Sequence, residues 1–409
     1  MHRTLLSVLI TIFFAGILNS QIDEKDLQLN KLINIALTHN PEINAQQDIV
    51  TAKANAILPA GSLPDPMVTG GYFLSPVVTK EGPQEWKVGL TQHFPWPGKL
   101  SGNEKIARLN LQKEQEQLRL VTLSVIRDVR TIYESMRLLA SEEAITRENL
   151  EILTQLESVV RFKYTTSTAS QAYLLKIQME LLKLEDDLTS IGEQHSVLVE
   201  KLTRALGTIY SDSLIFDDLL RFENELIPTD SSGFENNPKL KLADLTVDVN
   251  REKYHLSELS SYPDFAAGID YINLKGGSGD NPMMVRGGIS LPLRFGKNKA
   301  QREFASSMLS GAKHMQDNVR LSLSSGFEKI RFDMDDSKRK YLLYTKDLLP
   351  LSKQNYTVAK SAYLSDEIDF ETYLNAENNL LNIKLMCARL RARYYTARAN
   401  YLNISAQEF

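Results

Sequence analysis

Four places in this 409-residue chain hold residue types that could do chemistry. The run Asp333-Met334-Asp335-Asp336 could begin a calcium loop, but the glycine and terminal glutamate of such a loop are missing, so a solvated face explains it better. The turn Gly276-Gly277-Ser278-Gly279 could cradle a phosphate, but no Walker lysine follows it, and it reads as an exposed turn. His195 could be a ligand or a base. It stands alone among leucines and isoleucines spaced by threes and fours, where a structural role is the commoner one. Cys387 is the only cysteine, so an intramolecular disulfide and a cysteine metal cluster are both excluded, and a small core residue is the simplest reading. No Ser-His-Asp, Cys-His or paired-carboxylate arrangement has local motif support. Residues distant in sequence could still converge, so an enzyme reading stays open here with only the weak acidic run behind it.

The elements that carry these residues are more informative. Gln92-His93-Phe94-Pro95-Trp96-Pro97-Gly98-Lys99 sets a tryptophan between two prolines and closes on Gly-Lys. Before it, Trp86, Val88, Leu90, Gln92 and Phe94 alternate with Lys87, Gly89, Thr91 and His93, the period of a strand. After it, no proline occurs until Pro228. Leu174, Ile177, Leu181, Leu184, Leu188, Ile191, His195, Leu198 and Leu202 then mark a coiled-coil seam. A helix from Lys99 to about Phe162 would run roughly 90 Å, so an elongated body is expected. The stretch is a junction between a strand and a very long helix.

The plan is written twice. His39-Asn40-Pro41 returns as Asn236-Asn237-Pro238, and Leu63-Pro64-Asp65 as Tyr262-Pro263-Asp264. Pro97-Gly98-Lys99 returns as Phe295-Gly296-Lys297, and Tyr164 as Tyr363, all at offsets of 197–199 positions. Four matches in order at one offset indicate a duplication. The second half again carries alternating strands, with Val285, Gly287, Ile289 and Leu291 set against Arg286, Gly288 and Ser290. Its last helix has a seam from Leu374 through Ala388 and Ala392 to Leu402.

The first residues, with His2 and Arg3, the apolar stretch Leu5 to Leu18 and then Asn19-Ser20, are laid out like a secretory signal. The alternative is an uncleaved anchor. No cysteine closes the stretch for a lipid anchor. The net charge of −4, without a basic block, speaks against a nucleic-acid partner. No later segment is apolar enough for a spanning helix, so a membrane crossing would have to use strands. Runs of nine or ten residues with one apolar and one small or polar face suit a water-filled barrel, and a soluble half-buried sheet gives the same alternation. Four strands cannot close a membrane barrel, so a barrel here would be shared between chains.

With Pro64-Asp65-Pro66-Met67 and the Gln92–Lys99 motif, the chain resembles the TolC family of outer-membrane efflux proteins, most like its CzcC (cobalt-zinc-cadmium) branch. The resemblance implies a mainly α protomer with a membrane β-barrel contribution. In this fold, a duplicated unit of two strands and a long helical hairpin forms a shared 12-stranded β-barrel and an α-helical barrel as a homotrimer. It implies a passive exit duct, not an enzyme and without need of a cofactor, in the outer membrane of a Gram-negative bacterium, extending into the periplasm. The partners would be outer-membrane lipid, a periplasmic adaptor (membrane fusion protein) and an inner-membrane pump of the RND type, and the exports heavy-metal cations or small toxic compounds. The barrel-to-helix junctions would be Phe94, Pro95, Trp96, Pro97 and Gly98, and in the second half Phe295 and Gly296. The adaptor-docking tips would be Tyr164, Thr165, Ser167 and Thr168, and Tyr363, Ser365, Asp366 and Glu367, with both tyrosines facing outward. The family's usual tip glycines are replaced by Ser167 and Asp366. The family's gating aspartates align with Thr372 and Asn375, so that gate is not carried over.

The expected organisation is a signal peptide over 1–20 and a first repeat over 21–206. Its strands would lie near 65–74 and 85–94 and its helices near 99–162 and 168–206. An equatorial segment would cover 207–235. A second repeat would span 236–409, with strands near 264–273 and 283–292 and helices near 298–362 and 367–403. The rival readings are a periplasmic coiled-coil adaptor and a structural coiled coil. The first requires a single hairpin, and the second leaves four alternating strands unexplained.

Overall fold

A computed structural model describes residues 27–166, 169–210, 214, 216, 233–276, 280–293 and 295–407. The expected signal peptide, the tip residues Ser167 and Thr168, most of the equatorial segment and the glycines of the 277–279 turn lie outside the described residues. The chain divides into two compact units. One comprises residues 42–123, 228–329 and 402–409, and the other residues 1–41, 124–227 and 330–401.

The first half opens with helices α1 (Leu27–His39), α2 (Pro41–Asn55) and the short α3 (Ile57–Gly61). Strand β1 (Met67–Tyr72), the two-residue β2 (Val78–Thr79) and β3 (Gly82–Phe94) follow, then the long helices α4 (Lys99–Thr165) and α5 (Gln171–Leu206). The second half has α6 (Pro238–Leu259), β4 (Asp264–Leu274), β5 (Met283–Ser290) and α7 (Phe295–Leu343). After a π turn over Tyr344–Leu348 come α8 (Leu349–Leu364) and α9 (Phe370–Ile404). The fold is thus mainly helical, built twice from two principal strands and a helical hairpin.

The repeated Asn-Pro signature has a mechanical reason. Each proline starts a helix, where its missing N–H costs nothing. Each preceding asparagine is buried and donates its side-chain N–H to a carbonyl at the end of the last helix of its own half. Asn40 reaches the Ala205 carbonyl at 2.8 Å, and Asn237 the Ile404 carbonyl at 2.8 Å. These carbonyls belong to last turns, which lack intrahelical donors. Asn237 also caps α6 by accepting from the Lys239 N–H at 2.9 Å. One side chain therefore ties the helix start at the head of each half to the end of that half's last helix.

The four principal strands form one antiparallel sheet in the order β1-β3-β4-β5, with β2 pairing β3 to the side. The two halves meet at the β3–β4 pair, where Leu90 stands opposite Ile269 and Gly89 opposite Asp270. On the other side of β3, Leu90 stands opposite Val68. β5 continues the register with Ile269 opposite Val285.

Two helical expectations need correction. The first helix of the second hairpin is not uniform, because Pro350 has no N–H for the preceding turn and its ring crowds the carbonyl four residues earlier. The π turn just ahead of it absorbs that misfit. The seam of α5 is also only partly a core. Ile177, Leu184 and Leu202 are buried, whereas Leu188, Ile191 and Leu198 are half-buried and His195 is exposed. His195 is therefore not a core histidine within the single chain. The α9 seam is tighter, with Leu374, Cys387, Ala388, Ala392 and Ala399 buried. A buried ion pair crosses to it from α4, with Arg391 donating to Glu134 at 3.0 Å.

Candidate functional site

Residues directly opposite each other in a sheet share a face, and the register therefore sorts every strand position. On one face stand Val68 and Tyr72 of β1, Val88, Leu90 and Phe94 of β3, Phe265, Ile269 and Tyr271 of β4, and Met283, Val285 and Ile289 of β5. All of these are exposed large hydrophobics, and Trp86 joins them against Tyr271 with ring centroids 5.8 Å apart. A contiguous apolar sheet face of this kind marks a surface meant to leave water. The other face carries Thr69, Lys87, Thr91, His93, Asp264, Asp270, Arg286 and Ser290 among glycines and alanines, with Met67, Ile272 and Met284 as its larger apolar residues.

On the polar face Asp270 lies flat across Gly89, occupying the space a side chain there would need. Its carboxylate is 1% exposed and accepts from Arg286 at 3.1 Å. The same guanidinium nitrogen donates to the Thr91 hydroxyl at 3.0 Å. Gly89 is thus a seat for a carboxylate.

At the junction, Trp96 stacks on Tyr262 and on Phe265, with centroids 5.0 and 5.8 Å away. Its backbone N–H donates to Asp264 at 2.7 Å, and Lys99 donates to the same oxygen at 2.8 Å. Gly98 has φ +96°, a backbone state L side chains rarely adopt, and this bends the chain from Pro97 into α4. Phe94, Pro95, Trp96, Pro97 and Gly98 therefore sit at one corner, fastened to the start of β4. The second junction differs. α7 already begins at Phe295, and Gly296 lies in its first turn in helical conformation, so the turn comes earlier than the repeat implies.

The tips of the hairpins come together. The second turn closes with the Glu367 N–H on the Ala362 carbonyl at 2.8 Å, and Asp366 takes the left-handed conformation, φ +60°. Aspartate tolerates this state better than most side chains, which explains its place where the repeat calls for a glycine. Lys163 of the first hairpin donates to Asp366 at 2.5 Å, and its ammonium stands 4.5 Å from the centre of the Tyr363 ring. Asp369 starts α9 by accepting from the Thr372 side chain and, at 2.8 Å, from the Thr372 N–H, and these hydrogen bonds hold its carboxyl below the usual range.

The two tip tyrosines do not behave alike. Tyr164 is 41% exposed, and Thr165, Ser365, Asp366 and Glu367 are exposed around it. Tyr363 is only 5% exposed, stacked on Tyr373 at 5.3 Å and edge-on to Phe370 at 6.0 Å. The expectation that both rings face outward is corrected for Tyr363, which is part of the hairpin core. Phe162 and Leu364 supply the exposed apolar surface instead. Sequence reasoning missed Lys163 as the tie between the tips. A lysine one residue before the first tip tyrosine, 203 positions from an aspartate in the matching turn, was its only signal.

No protein-family model matches the chain, and no curated protein matches it in sequence. Solved structures do match in fold. The outer membrane protein VceC of Vibrio cholerae superposes with a TM-score of 0.78 at 15% identity, over 93% of this chain and 96% of that one. The channel-forming CusC gives 0.80 at 14% identity, over 96% and 95%. The open-state MtrE outer membrane channel of Neisseria gonorrhoeae gives 0.79 at 14% identity, over 92% and 88%. The fold is TolC-like over nearly the whole chain.

Proposed function

We propose that this chain is the outer-membrane channel of a tripartite efflux pump, a passive exit duct rather than an enzyme. The observation that carries the reading is the sheet. Its apolar face is exposed across all four principal strands, and neither β1 nor β5 has a second principal strand beside it among the described residues. An open edge in lipid would leave a row of backbone groups unpaired, at several kcal/mol each. Copies of the chain must therefore complete the ring, and three copies would give the 12 strands that the resemblance implies. The apolar face then meets lipid, the polar face lines the lumen, and the Trp96-Tyr262-Phe265 stack sits where strands give way to helices, at the membrane interface. Fold likeness to VceC, CusC and MtrE supports the same reading, and the motif resemblance to the CzcC branch favours heavy-metal cations or small toxic compounds as cargo. The organisation into two repeats around an equatorial segment, with tips docking a periplasmic adaptor, belongs to the same proposal.

The test is assembly. Native mass spectrometry in detergent should give a trimer, and fractionation should place it in the outer membrane. A monodisperse monomer that keeps its full β content by circular dichroism would overturn the shared barrel. The tips give a second expectation. Tyr164→Asp should weaken cross-linking to the adaptor in whole cells while trimer yield stays normal, because the ring is exposed. Tyr363→Asp should instead loosen the hairpin, seen as protease cleavage near the tip, since it places a charge in an aromatic core.

A further inference from the structure

Along the paired middle of the polar face, Asp270 is the only carboxylate, and it is 1% exposed. The cations there are Lys87 and Arg286, and the Arg286 side chain is 43% exposed. Asp264, at the paired end of the same face, is taken up by Lys99 at 2.8 Å, so the two cations stand against one uncommitted carboxylate and leave the face net positive. The Asp270–Arg286 pair is moreover a dipole with its negative end sunk over Gly89 and its positive end toward solvent. Arg286 is not free to swing away, since Thr91 and Asp270 both accept from the same nitrogen. A fixed guanidinium on a small-residue floor is a built feature, with Gly268 of β4 directly opposite Arg286.

We propose that Arg286, held by Asp270 and Thr91, is a selectivity residue that makes this pore prefer anionic solutes. The inference rests on the channel reading above and deepens it by assigning the charge class of what passes. Repeated around a closed barrel, the fixed positive charge raises the local concentration of anions and repels small cations, an effect that salt screens. A bare metal cation would meet a barrier here, so a metal cargo would pass more readily as an anionic complex.

The experiment is the reversal potential of the purified full-length protein in a planar bilayer under a potassium chloride gradient. The parent channel should prefer chloride, and Arg286→Gln should lower the chloride-to-potassium permeability ratio at least about twofold at low salt, with a smaller change at 1 M. A parent channel that prefers potassium, or an Arg286→Gln channel with an unchanged ratio, would overturn the proposal. Arg286→Cys provides an independent arm, because the only native cysteine, Cys387, is fully buried. A positively charged methanethiosulfonate should restore the chloride preference, and a negatively charged one should reverse it. If the Arg286 variants do not assemble, Lys87→Cys is labelled in the same way, and equal ratios with both reagents overturn the proposal. Absence of any conductance from a correctly assembled parent protein would instead sink the channel reading itself.

Discussion

Arginine in place of Leu90 is expected to block insertion of the assembled protein into the outer membrane, whereas arginine in place of Gly288 is expected to leave insertion intact. Leu90 is exposed at the centre of the apolar face, flanked by Val68 on one side and Ile269 on the other. In a bilayer that position has no water to solvate a guanidinium, and a charge at mid-depth on a barrel's outer face costs about 2–4 kcal/mol. Gly288 lies on the opposite face, and a Cβ there meets only the Ala266 methyl at an ordinary 3.5 Å. Ile289→Arg, one residue further on, should fail as Leu90→Arg does. The measurement is the yield of heat-modifiable trimer in outer-membrane fractions, alongside folding into lipid vesicles. If Leu90→Arg and Gly288→Arg insert equally well, the assignment of faces is wrong. Gly89 is unsuitable as the polar-face control, because any side chain there displaces Asp270.

The sheet was readable in the sequence because period-two alternation survives whatever the strands pack against, and the helices because a proline-free run with three-four spacing has one regular solution. The Asn-Pro signature was visible as a repeat, but its purpose was not. Its partners are backbone carbonyls of Ala205 and Ile404, more than 160 positions away, and carbonyls carry no sequence signal. The π turn was missed for a different reason, since Pro350 was there to be read but the fold absorbs it within the helix. The tips show the limit most plainly. Spacing places Tyr164 and Tyr363 at equivalent points, yet only the second finds Phe370 and Tyr373 on the following helix to pack against. Two sequence-equivalent residues were separated by neighbours that the repeat does not share. Arg286 likewise alternated as expected, while its contact with Asp270 depended on register, which is a property of the assembled sheet.

Glutamine in place of Glu377 is expected to stabilise the helical unit at pH 8 and to change little at pH 5. Glu377 lies on α9, 2% exposed, with one carboxylate oxygen that has no hydrogen-bond partner. Burial pushes its carboxyl up from 4.5 to about 7, against the pull of Lys384 and the neighbouring Asn149 amide, with Glu180 adding a small push upward. Because the folded value is raised, the folded chain binds this proton more tightly than the unfolded chain does. The contribution is fully present below about pH 4.5 and is lost as pH rises through about 7, and the difference corresponds to about 3 kcal/mol. Above pH 7 the parent protein must hold an ionised carboxylate in a site with too few donors for it. Glutamine keeps the shape, but it does not ionise. Other titrating groups are common to both proteins, so the difference between their unfolding curves isolates this one. Hydrogen exchange of α9, compared at pH 5 and pH 8 after correction for the intrinsic rate, reads it directly. The parent should open more readily at pH 8 and Glu377→Gln should not. A variant that keeps the parent's full pH dependence would show that Glu377 does not carry that proton. Helix α9 runs directly from the second tip, so the same titration would loosen that end of the hairpin.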